Sequence, residues 1–120
     1  MTLSERCNVI EECYEFMLAY AAQGLADGLE IREYLTRAAQ SLRGLPAIAR
    51  SELDAPFIAV LERDANDALA AIELGLAQSA ISSQLVDNLN ASIHVRAMLT
   101  DLFLVDEVLK GRQQQRHVTT

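Results

Sequence analysis

Apolar residues return every three or four positions along most of this chain, and nowhere do they alternate with polar ones over the length of a strand. That spacing predicts amphipathic helices sharing one core. The first segment carries two such rows. Leu3, Cys7, Ile10, Tyr14, Met17 and Ala21 form one, and Val9, Cys13, Phe16 and Tyr20 lie beside it. At about 100° per residue the two rows cover roughly half the circumference, so a helix over 4–22 must touch at least two neighbours. Thr2 and Glu5 have capping-box spacing ahead of it, and Gly24 supplies a stop.

The next three helices follow from the same logic. Asp27 and Glu30 mark a second N-terminus, Ile31, Leu35, Ala38 and Leu42 make its narrow stripe, and Gly44 is expected to end it. Leu45-Pro46 through Ser51 then reads as a connector. Asp54 caps the third helix with Pro56 in its first turn, where a missing N–H costs nothing. Its inner stripe is Phe57, Leu61, Ala65, Ala68, Leu69, Ile72 and Leu76. Ser79, Ser82 and Ser83 mark a turn, and a fourth helix continues to about Lys110, with Gly111 as its stop.

That fourth segment changes sides. Leu85, Val86, Leu89 and Ile93 lie on one face, while Val95, Met98, Leu99, Leu102, Val105 and Leu109 centre roughly opposite. Between them, Asp87 to Ser92 is rich in residues that prefer caps to helix interiors. Either the helix breaks near Asn90, or one long helix buries different sides along its length. The expected fold is an all-α, up-and-down bundle of four helices, or five with the break. Residues 1–111 make its single domain, and 112–120 are expected to be a flexible basic tail.

Composition narrows the setting. With 120 residues, 51% apolar and 22% charged, the chain suits one globular domain large enough to bury a core without staples. No apolar run reaches the roughly 20 residues of a membrane span, and no basic start precedes an apolar stretch as in a secretory leader. A cytoplasmic setting is expected. Cys7 and Cys13, six apart on one helix, would sit about 9 Å apart along its axis, too far for a disulfide, which needs Cα atoms within about 7 Å. They are expected to be small buried hydrophobes.

The net charge is −7, and it is uneven: residues 1–109 hold 17 acids against 7 bases, while Lys110, Arg112 and Arg116 close the chain. An acidic body repels phosphate backbones, so nucleic acid is not an expected partner. Candidate chemistry is sparse. Glu5, Glu11, Glu12 and Glu15 share the polar half of the first helix and form a candidate acidic docking face. Carboxylates also ligate Mg²⁺ and Ca²⁺, but a di-iron bundle needs Glu-x-x-His pairs, and Ala91 stands three before His94. No nucleophile elbow is present, and the only lysine, Lys110, leaves a phosphate loop without its cation. No metal, cofactor or catalytic residue is therefore expected.

These residues favour a non-enzymatic helical interaction module, accessory, chaperone-like or regulatory, acting through homo- or hetero-oligomeric helix packing. Leu102, Phe103, Leu104 and Val105 are consecutive and point four ways, so with Val108 they are the candidate interface of a homodimer or higher oligomer. The alternative is a small-molecule- or metal-binding bundle, catalytic or not, with its site around Tyr14, Met17, Tyr20 and the nearby glutamates.

Overall fold

In the computed structural model of the chain, residues 1–23 and 28–119 are described, with side chains given to Gln115 except at Gly28. Five helices follow one another: α1 (Leu3–Gln23), α2 (Gly28–Ala49), α3 (Ala55–Leu76), α4 (Ser83–Ala91) and α5 (Ile93–Thr119). No strand occurs among the described residues. The fold is an all-α bundle, 51 × 26 × 22 Å in extent. α1, α2 and α3 are successive antiparallel neighbours. Arg6 near the start of α1 reaches Gln40 and Ser41 in the second half of α2. Arg32 near the start of α2 reaches Leu76 at the end of α3, and Arg50 just past α2 meets Glu62 in the first half of α3. α4 and α5 together form the fourth rod. α4 packs mainly on α1, and α5 mainly on α3 with a lighter contact to α1.

Local chemistry sets most of the ends. Glu5 N–H donates to Thr2 Oγ1 at 3.1 Å and Thr2 N–H to Glu5 Oε2 at 3.4 Å, a complete capping box. Ser82 Oγ accepts from Leu85 N–H at 3.0 Å and starts α4. Asp54 occupies the cap position of α3 in extended conformation, though its side chain makes no capping bond. The expected stop at Gly24 and cap at Asp27 lie outside the described residues.

Two expected stops, Gly44 and Gly111, and the connector expected from Leu45 are corrected. α2 runs on through Gly44 and Pro46 to Ala49, because its apolar stripe continues in phase: Leu42, Leu45 and Ala49 are all buried. Pro46 has no N–H to return to the Leu42 carbonyl, and Arg6 supports the backbone just upstream. Its guanidinium donates to the carbonyls of Gln40 (3.3 Å) and Ser41 (3.1 Å). A Cβ at Gly44 would come within 2.7 Å of that guanidinium, so the glycine makes room for a cation rather than ending a helix. Likewise α5 passes through Gly111 to Thr119, and among the described residues nothing lies within 4 Å of where a Cβ would stand at Gly111.

The fourth rod does break, at Ser92. This residue leaves the helix at φ −60°, ψ 130°, closes α4 by donating its N–H to Leu89, and starts α5 by accepting the Arg96 N–H at 3.0 Å. Ile93, expected beside Leu89, is instead 75% exposed, because the bend carries it off the α4 stripe. Val86 and Leu89 face the core from α4, and Val95, Met98, Leu99, Leu102 and Val105 face it from α5. Both cysteines are free and buried, and burial leads the causes that push both thiols up to about 12. No helix among the described residues is long and apolar enough to cross a membrane.

Candidate interaction surface

The five residues of the expected α5 interface divide between core and surface. Leu102 and Val105 belong to the chain's own core, whereas Phe103, Leu104 and Val108 stand 54%, 54% and 44% exposed. The four-way argument therefore holds for half of the run: α3 and α1 pack against α5, and among the described residues nothing covers Phe103, Leu104 and Val108 fully. Leu104 and Val108, one turn apart, line a groove of about 270 Å³ with Leu53, Phe57 and Val105. Its walls are α3, α5 and the α2–α3 turn. Asp54 and Arg112, opposite in charge, also line it. Phe103 points away from this groove, 100° round the helix.

A second, wider cleft of about 570 Å³ adjoins it, sharing Arg112 and lined by Thr2, Ser4, Ser51, Glu52, Leu109 and Gln113. Neither cleft touches Tyr14, Met17 or Tyr20. Met17 and Tyr20 are buried, and the Tyr20 hydroxyl donates to the Ile81 carbonyl at 2.8 Å. Phe16 stacks on Tyr34 at 4.2 Å, and Arg37 lies over the other aromatic's ring at 5.4 Å. The aromatics thus fasten α1 to α2 and to the turn ahead of α4.

The four glutamates of α1 do not form one uniform face. Glu12 and Glu15 are exposed, and Glu5 is engaged in the capping box. Glu11 is half-buried and turned to Asp106 of α5. Burial first, then the Asp106 carboxyl as hydrogen-bond partner and as charge, raise the Glu11 carboxyl from 4.5 to about 7. Lys110 pulls the other way. A second pair lies across the α3–α5 seam. Asp101, only 7% exposed, meets Asp64, and burial followed by that neighbour raises its carboxyl from 3.8 to about 7. Among the described residues no group of three or more His, Cys, Asp or Glu side chains is placed to hold a metal ion. His94 lies at the surface, 3.9 Å from Asp67.

Neither acid pair was anticipated from sequence, yet the signal is there. Asp101 is spaced three after Met98 and four before Val105, and Asp106 four after Leu102 and three before Leu109. Asp64 follows Leu61 by three, and Glu11 follows Cys7 by four. All four acids occupy core-stripe positions, where a carboxyl is costly unless it finds a partner. Compared with protein-family models, with curated proteins and with solved structures, the chain matches none.

Proposed function

We propose that this chain is a cytoplasmic, non-enzymatic helical interaction module of an accessory or regulatory kind, and that its α3–α5 groove receives a second copy of the same chain. The observation that carries this is the groove itself: Leu53, Phe57, Leu104 and Val108 line it, and an acid and a base stand beside them. A twofold interface must complement itself, since each side presents the same patch. Asp54 and Arg112 meet that demand, because rotation about an axis through the apolar floor sets each against the other's counterpart.

Sedimentation at about 10 μM tests the proposal. The expected species is twice the 13.2 kDa chain. Leu104→Glu should give a monomer that remains helical. Asp54→Arg and Arg112→Asp should each weaken the dimer, and the two together should restore it. A wild-type monomer at this concentration overturns the proposal, as does a dimer indifferent to Leu104→Glu.

A further inference from the structure

α5 meets α3 and α1 along two seams, and each seam holds a pair of carboxyl groups; Lys110 acts on Glu11 in one, and no base is among the charges acting on Asp101 in the other. Among the described residues no N–H or hydroxyl donates to the buried Asp101 Oδ2 and Glu11 Oε1. A buried acceptor left that way costs about 1–3 kcal/mol, and more when charged. Two ionised carboxylates side by side repel; with one proton between them they make a short O–H···O⁻ bond. We propose that Asp64–Asp101 and Glu11–Asp106 are proton-dependent latches that hold α5 on the bundle, closed while each pair shares a proton and loosened when all four groups ionise.

Burial acts first on Asp101 and Glu11, and the charges that face them are few. Asp64 is the charge that faces Asp101 from α3. Glu11 meets Asp106 and Lys110 from α5 and feels Glu15 from its own helix. α4 carries one charged residue, Asp87, which is not among the charges acting on either pair. The direction of pH dependence follows. In the unfolded chain these carboxyls titrate near 4; in the folded chain one member of each pair holds its proton to about 7. The folded state therefore binds more protons across that window, and stability falls as pH rises through it. The contribution is complete below about 4 and lost above about 7.

Two measurements test the latches independently of dimerisation, at concentrations where Leu104→Glu keeps the chain monomeric. The first is the melting temperature between pH 5 and pH 8.5. In this background it should fall across the window, and Asp101→Asn with Glu11→Gln should abolish the fall, because an amide donates to its partner carboxylate at any pH. Asp64→Asn and Asp106→Asn place the amide on the other side of each pair and serve if the first variants do not fold. The second is alkylation of the two thiols, located by tandem mass spectrometry. Cys7 lies beside Asp106 and Glu11, whereas Cys13 lies towards Arg37 of α2. The ratio of Cys7 to Cys13 modification should rise severalfold from pH 6 to pH 8.5, and stay flat in Glu11→Gln. A melting temperature that rises across the window overturns the proposal. So does an undiminished fall in the amide variants, or a ratio that ignores pH.

Discussion

Replacing Gly44 with alanine should destabilise this protein, although alanine is the better helix former by about 1 kcal/mol. The reason is Arg6. A Cβ at position 44 would stand 2.7 Å from Cζ, Nη1 and Nη2 of its guanidinium, closer than van der Waals contact permits. The side chain is flexible at that end, so it moves, and its bonds to the Gln40 and Ser41 carbonyls go with it. Hydrogen bonds from a charged donor are worth about 1.5–3 kcal/mol. Here one is exposed and the other only partly buried, so about 1 kcal/mol each is the defensible figure. Losing about 2 and gaining about 1 leaves Gly44→Ala less stable by roughly 1 kcal/mol. In an Arg6→Ala background the clash is absent, and the same substitution should stabilise by about 1. Urea denaturation of the wild type, both single variants and the double variant completes the cycle, with an expected coupling near 2 kcal/mol. Equal effects of Gly44→Ala in the two backgrounds would refute the argument that this glycine exists to seat a guanidinium.

Truncating Leu102 to alanine should cost about 2–5 kcal/mol, because it is fully buried, whereas Phe103→Ala should change monomer stability by less than about 0.5. Equal losses in chemical denaturation would contradict this division of the two neighbours. Gly111→Ala should raise stability by up to about 1 kcal/mol, since the new methyl meets nothing and α5 is already helical there. A drop in helical circular dichroism would show that the backbone at 111 needs a conformation alanine resists.

Periodicity carried most of the architecture. The stripe of Ile31, Leu35, Ala38 and Leu42 and the capping box at Thr2 and Glu5 needed only spacing to be recognised. Punctuation misled where tertiary contact outweighed it. Gly44 and Pro46 look like a stop until Leu45 and Ala49 are seen to extend the stripe, and nothing local announces that Arg6, 38 residues away, will lie over the gap. The break at Ser92 stayed open between two alternatives because cap-forming residues tolerate either. The surface was harder still. Four consecutive apolar residues show that some must be exposed, but only the placement of α3 decides that Leu104 lines a groove and Leu102 does not. The acid pairs were hidden for a different reason: each carboxyl looks like a solvated residue until its partner on another helix is known.

Ser92 has a consequence for how the molecule can change. A continuous helix transmits rotation: displacing one residue's direction at its start turns every side chain after it. One extended residue at the junction of α4 and α5 cuts that transmission, because the phase of each segment is set on its own side of the bend. α4 is seated on α1 through Asn90, whose side-chain amide donates to the Met17 carbonyl at 3.2 Å, so a shift of α5 against α3 need not unseat it. The joint gives the fourth rod two independent gearings. The half seated on α1 is thereby insulated from the half that helps line the groove and carries one member of each acid pair.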